Sequence, residues 1–242
     1  MKHKIIKLKK NTVLGVVGDI HEHDAQFNEI LERFKPSEDR ILVSVGNIYD
    51  NGFGIKIAES VTNQLKGLHE QGISHTVLGN HDYRHIRRGT RSGNGLSPEL
   101  TWLDDQPWSI SFKFPNGKSV LVLHGGVTPK HKWSDLNNSD IMYVCTVDKD
   151  GEYIPMKRKT INGKIVLVAE REGPNWHEVY DGRFGYICAG HHVQKDGIPK
   201  YFPYSCNIDT ACYHTGTLTL QKFDQKGLGD KIFAYGIPSS KN

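Results

Sequence analysis

Short β-branched apolar runs, each followed within two residues by a glycine, recur along the chain and predict buried strands. Thr12–Gly18 reads TVLGVVG, and Arg40–Val45 reads RILVSV ahead of Gly46. His75–Leu78, Ser119–Leu123 and Gly185–Ala189 show the same pattern. Between the first two runs the apolar period changes. Phe27, Ile30, Leu31 and Phe34 fall on one face of a helix over Asp24–Phe34, with Asp24 as its predicted N-cap and Pro36 as its stop. A second helix is expected over Ile55–Leu68. Later segments read as antiparallel β-structure. Hairpins are predicted over Met142–Met156, turning at Asp148–Gly151, and over Lys157–Ala169, turning at Asn162-Gly163. Further strands are expected at Cys206–Asp209, Gly216–Phe223 and Lys231–Tyr235, while the Arg-, Gly- and Pro-rich segment 85–118 reads as loops over one end. With no repeat, low-complexity tract or linker, residues 1–242 are expected to form one domain.

The residues just past each strand carry the chemistry. The five ends read Gly18-Asp19-Ile20-His21, Gly46-Asn47-Ile48-Tyr49-Asp50-Asn51-Gly52, Gly79-Asn80-His81-Asp82, His124-Gly125-Gly126 and Gly190-His191. Side chains leaving an α/β sheet at the carboxyl ends of its strands converge, which is why ligand sites form there. Carboxylate, amide and imidazole donors together suit divalent ions of the Mn, Fe and Zn type.

Composition narrows the class. The chain has 242 residues, 37% hydrophobic and 24% charged, with 10 Tyr, 9 Phe and 4 Trp, too rich in large apolar residues for disorder. No apolar run approaches the roughly 18 residues of a membrane span. The net charge of +4 is too mild to announce a nucleic-acid binder, and the Lys7–Lys10 run reads as solvated. The N-terminal MKHKIIKLKK lacks the apolar core of a signal peptide, and the four cysteines form no CxxC, so a cytoplasmic protein with unpaired thiols is expected. The 13 histidines are many, and histidine is both the commonest metal ligand and a general acid near neutral pH.

The ordered motifs GDIHE (Gly18–Glu22), GNIYDNG (Gly46–Gly52), GNHD (Gly79–Asp82), HGG (His124–Gly126) and GHH (Gly190–His192) resemble those of the calcineurin-like metallophosphoesterases. Within that family they are most similar to the branch of phosphoprotein phosphatases and symmetrical dinucleoside tetraphosphatases. The stretch NIDTACYHTGTLTL (Asn207–Leu220) also resembles the branch's late strand pair, so the likeness runs over about residues 12–222. It implies an α/β fold, a four-layer αββα sandwich of two mixed sheets. It implies hydrolysis of a phosphoester or phosphoanhydride by a hydroxide activated on two divalent ions, Mn²⁺ foremost, with Fe, Zn²⁺, Ni²⁺ or Co²⁺ as alternatives. Carried over by position, Asp19 and His21 would hold the first ion, and Asn80, His124 and His191 the second, with Asn47 at the bridging position. His81 would be the general acid and Asp50 its orienting carboxylate.

Three positions depart from the family pattern. Asn47 stands where a bridging aspartate is usual, and a neutral amide cannot hold two dications together as a carboxylate does. Slower hydrolysis is therefore expected, or alternatively a non-catalytic protein that binds phosphate or nucleotide. Asn51 stands where many members carry a phosphate-gripping arginine; Arg84, Arg87 and Arg88, at helical spacing after GNHD, are the expected substitutes. Glu22 replaces a glycine and adds a carboxylate that either repels substrate or restores charge lost at Asn47. The expected substrate is a nucleotide polyphosphate or a phosphoprotein, the former favoured by Gly173–Arg183 and the latter by the Asn207–Leu220 ending. Neither a membrane nor nucleic acid, beyond a capped or phosphorylated end, is expected as a partner.

Overall fold

Alternation along the strands decides which side chains meet between two mixed sheets. In the computed structural model, which describes residues 2–93, 95–161 and 164–239, one sheet has six strands. Their order is β1 (His3–Lys7), β5 (Ser109–Lys113), β6 (Ser119–Leu123), β9 (Tyr186–Ala189), β11 (Ser205–Asn207) and β10 (Lys200–Phe202). The other has five, in the order β13 (Gly227–Tyr235), β12 (Thr217–Asp224), β2 (Val13–Val17), β3 (Arg40–Ser44) and β4 (Ser74–Thr76). β2, β3 and β4 run parallel, as do β6, β9 and β11, so both triplets end at one edge of the molecule.

The two-residue period of a strand sorts its side chains into two cores. Leu14 and Val16 of β2, Ile41 and Val43 of β3, Ile110 and Phe112 of β5, Val120 and Val122 of β6, and Cys188 of β9 form one cluster contributed by both sheets. The intervening residues Val17 and Leu42 join Phe27, Ile30 and Phe34 of α1 (Asp24–Phe34) and Val61 and Leu65 of α2 (Ile55–Glu70). Leu121, Leu123 and Ile187 on the other sheet join the same cluster as Met142 and Trp176. Each such side chain, fully buried, contributes roughly 1.5–3 kcal/mol. This is the expected pair of mixed sheets with helices outside.

Several local expectations are corrected. Segment 85–118 is not a set of loops. It carries most of α3 (Asn80–Ser92), all of α4 (Pro98–Asp104) and the strand β5. The α4 signal is present in the sequence: Ser97 caps the helix by accepting from Leu100 N, and Pro98 occupies its first turn. Gly89 does not break α3, which ends at Gly93 in the left-handed region, φ 72°. The N-terminal residues supply an unforeseen edge strand, β1, parallel to β5, while Lys7, Lys9 and Lys10 stay exposed as expected. The expected Met142–Met156 hairpin reduces to one bridge, Val147 to Tyr153, preceded by α5 (Asn138–Tyr143). Asp24 lies in the first turn of α1 rather than at its cap, which is His23. The hairpin β7 (Met156–Ile161) and β8 (Lys164–Ala169) is present, while its predicted turn, Asn162-Gly163, lies outside the described residues. Among the described residues no helix is long and apolar enough to cross a membrane. All four cysteines are free.

Candidate functional site

The strand ends of both sheets meet over a cavity of about 550 Å³ lined by Asp19, His21, Asn47, Asn80, His81, His191, Asp209 and three tyrosines, Tyr143, Tyr153 and Tyr213. The loops that carry these residues are bent sharply. Among the described residues nine non-glycine positions have positive φ, and seven of them belong to this site: His21, Glu22, Asn47, Asp50, Asn51, His191 and Ala211. Such conformations persist only where surrounding structure imposes them, and they concentrate at functional sites. At Gly190 even a methyl group would strike Asp19 Oδ1, so glycine permits the two sheets' loops to touch.

The predicted metal ligands come together as pairs of facing acceptors. His21 Nδ1 donates to Asp50 O at 2.9 Å and Tyr49 O at 3.2 Å, which leaves the lone pair on Nε2. That nitrogen lies 3.8 Å from Asp19 Oδ2. Burial, reinforced by His81, pushes the His21 imidazole down to about 3, so this is no ion pair at neutral pH. His124 repeats the arrangement. Its Nδ1 donates to Val45 O at 2.9 Å, and its Nε2 lone pair faces Asn80 Oδ1 at 2.8 Å. Burial and the neighbouring His191 hold His124 well below the usual imidazole range. His191 itself, 5.0 Å from His124 between ring centroids, is pushed down to about 4 by burial and His81. Two lone pairs turned toward each other repel unless a cation takes both, and neutral imidazole with carboxylate or amide oxygen is a fitting donor set for a divalent ion. Among the described residues no three His, Cys, Asp or Glu side chains are drawn together as a ligand set by themselves. The donors converge in pairs, and one pair depends on an amide.

Asn47 sits between the pairs in one orientation. Its Oδ1 accepts from His81 N at 3.0 Å and its Nδ2 donates to Asp19 Oδ2 at 2.9 Å. A flipped amide would turn its NH₂ against an N–H, so the neighbours fix the orientation. The Asn47 amide thus holds Asp19 by a hydrogen bond at the position where a bridging carboxylate is usual.

His81 and Asp50 pair as expected: His81 Nδ1 donates to Asp50 Oδ2 at 3.0 Å. Two further residues share that carboxylate. His85 Nε2 donates to Asp50 Oδ1 at 2.8 Å, and Arg84 bonds Oδ2. Burial alone would raise the Asp50 carboxyl, but these hydrogen bonds from His81, His85 and Arg84 hold it well below the usual carboxylate range. Of the three arginines expected to grip phosphate, Arg84 thus reaches the site's rim. Arg87 lies over the Tyr83 ring and Arg88 is exposed; none of the three lines the cavity. Cys145 also lines the cavity, but burial pushes its thiol up to about 12, so it is no nucleophile at neutral pH.

Two carboxylates prove to be structural. Glu22 does not face the ligand pairs. It accepts from Asp50 N, Gly52 N and Gly54 N and so fixes the loop that carries Asp50. Its oxygens are thus engaged by backbone rather than offered to the cavity. Asp82, fully buried, accepts from Asn47 N, Ile48 N, Tyr49 N and Gly79 N at 2.8–3.2 Å. An acid at the third position of a helix, bonding back to the cap, is a legible signal in GNHD; its bonds across to the β3 loop are not. Substituting Asp82→Ala would orphan four buried donors, and a urea titration is expected to show a loss of about 3 kcal/mol or more. His23 is buried, and its Nδ1 donates to Ile20 O and His21 O.

Comparison with known proteins agrees with this geometry. The family model described as calcineurin-like phosphoesterase matches residues 12–195. No curated protein sequence matches the chain. Among solved structures, a candidate diadenosine tetraphosphatase superposes with a TM-score of 0.71 at 22% identity, covering 97% of this chain and 98% of its own. A serine/threonine phosphatase from Saccharomyces cerevisiae gives 0.58 at 15% identity, covering 96% and 84%. A metallophosphoesterase from Sphaerobacter thermophilus gives 0.51 at 11%, covering 94% and 89%. At these identities the likenesses establish the fold.

Proposed function

The chain belongs to the calcineurin-like phosphoesterase family of hydrolases, and from that premise we propose that it cleaves a phosphoanhydride of a nucleotide polyphosphate at a centre of two divalent ions. The observation that carries this reading is the pair of facing acceptors, Asp19 with His21 and Asn80 with His124, beside the His81–Asp50 couple. Asp19 and His21 would hold one ion, and Asn80, His124 and His191 the other. Bound there, divalent ions would polarise phosphoryl oxygens and lower the pKa of an attacking water.

The chain's own residues do the rest. With Nδ1 committed to Asp50, His81 keeps Nε2 to carry a proton to the leaving oxygen. Asp50 fixes the ring, and His85 and Arg84 fix Asp50 in turn. Arg84 adds positive charge at the rim, where a polyphosphate would enter. Tyr143, Tyr153 and Tyr213, with Met156, give the cavity an apolar wall suited to a nucleobase, which supports a nucleotide over a phosphopeptide. The high overlap with a candidate diadenosine tetraphosphatase supports the same choice.

A second reading rests on Asn47. Its bonds to Asp19 and to His81 N would let the site bind a phosphorylated ligand without cleaving it. One assay separates the two. With Mn²⁺ and with EDTA, the protein is offered diadenosine tetraphosphate, p-nitrophenyl phosphate and a phosphopeptide. Mn²⁺-dependent turnover, fastest on diadenosine tetraphosphate, is expected. Binding of that nucleotide without turnover would establish the second reading, and preference for the phosphopeptide would reverse the substrate assignment.

A further inference from the structure

Asp209 lies in the late motif Asn207–Leu220, to which no chemical role has been given. It sits past the end of β11, beside the end of β9 that delivers His191. The loop is pressed against the end of β2: a methyl group at Gly18 would strike Ile208 O. Asp209 thereby shares one cavity wall with Asp19, Asn47 and His191. Its Oδ1 accepts from Ala211 N at 2.9 Å. Its Oδ2 has no hydrogen-bond partner although the residue is only 1% exposed.

A buried carboxylate oxygen without a donor is costly, and a second buried carboxylate nearby makes it more so. Asp19, 2% exposed, is that neighbour. No lysine or arginine lines this cavity among the described residues. The two buried carboxylates therefore have no lysine or arginine beside them in the cavity wall.

We propose that Asp209 is a metal-facing residue of this site, supplying beside Asp19 the second negative charge that Asn47 does not provide. This rests on the metal-centre reading above and adds to it a residue from a different strand. The amide at position 47 ties down one oxygen of Asp19, and the unpartnered oxygen of Asp209 is what the cavity offers a cation in exchange.

The test is Mn²⁺ binding, tracked by electron paramagnetic resonance of the free ion and by calorimetry, with folding checked by circular dichroism. Asp209→Asn keeps an oxygen for Ala211 N and removes only the charge. It is expected to weaken Mn²⁺ binding roughly tenfold or more. The metal-free melting temperature should stay level or rise, because one of two like buried charges is gone. Asp209→Ser, which also keeps an oxygen for Ala211 N, should behave alike. In an Asn47→Asp background the same change should cost less, since position 47 then carries the charge. Unchanged Mn²⁺ binding in both Asp209 variants would overturn the proposal while leaving the metal centre standing. An equal loss in both backgrounds would overturn the claim that Asp209 compensates for Asn47. If the unsubstituted protein binds no Mn²⁺, the metal-centre reading fails and the proposal with it.

Discussion

Asn47→Asp is expected to raise Mn²⁺-dependent hydrolysis of p-nitrophenyl phosphate by roughly 100-fold or more, the scale of one well-placed electrostatic group in an active site. The change is nearly isosteric, but it replaces a hydrogen bond by a charge. In the present protein Asn47 Nδ2 donates to Asp19 Oδ2 at 2.9 Å. An aspartate would keep its acceptor for His81 N and set a second carboxylate oxygen against Asp19. Without metal that contact is repulsive between two groups only 2% exposed, and the metal-free protein should lose about 3 kcal/mol. With Mn²⁺ bound, the two carboxylates would balance the ion's charge between them, and the loss should be more than regained. The signature is thus a pair of opposite shifts: a lower melting temperature in EDTA and a higher one in Mn²⁺, alongside the rate gain. A variant that gains metal affinity but no rate would show that the chain is a binding protein for reasons beyond position 47.

His81→Ala is expected to lower kcat by about 100- to 1,000-fold on substrates with poor leaving groups, the usual contribution of a positioned general acid. The measurement is best made in the Asn47→Asp background, where the rate is high enough to measure. The loss should be small on p-nitrophenyl phosphate, whose leaving group departs without a proton, and large on an alkyl phosphate or a dinucleoside polyphosphate. Mn²⁺ affinity should stay unchanged, because His81 commits Nδ1 to Asp50 and belongs to neither facing pair. Metal loss in this variant would make His81 a ligand. A uniform loss on all substrates would mean that it binds phosphate rather than donating a proton.

The parts of this site that are legible in the sequence are those carried by local pattern. Short apolar runs locate β2, β3, β6 and β9, and residues just past β2, β3 and β9 line the cavity. The Asp50–His81 couple is legible too, through the motif resemblance. Segment 85–118 misleads because its polar composition masks two short helices and a strand, each stabilised by packing: only Ile86 and Asp82 are buried on α3, and only Leu100 and Leu103 on α4. The N-terminal strand is hidden for a related reason. Its lysines suit an edge, and its partner, β5, lies more than 100 residues away.

Within the site, the uses of Glu22, His85 and Asp209 are hidden from the sequence. Each depends on a loop from elsewhere: Glu22 on the backbone of Asp50–Gly54, His85 on Asp50, Asp209 on the end of β2. Residue type states what a side chain can donate or accept, but not which partner reaches it first. A carboxylate surrounded by backbone N–H groups, as at Glu22, is consumed by structure. One with an unpartnered oxygen in the cavity wall, as at Asp209, remains available for chemistry.

The sequence by itself determined the strands, the order of the motifs and the kinds of donor at each strand end, because periodicity and residue chemistry are local properties. The tertiary structure decided which donors face one another. Asp19 meets His191 across 172 residues, and Asn47 meets Asp19 across 28, because packing of the two sheets sets the spacing of the loops. Hydrogen-bond complementarity then fixes each group's orientation, down to the amide of Asn47 that points its oxygen at His81 N and its nitrogen at Asp19.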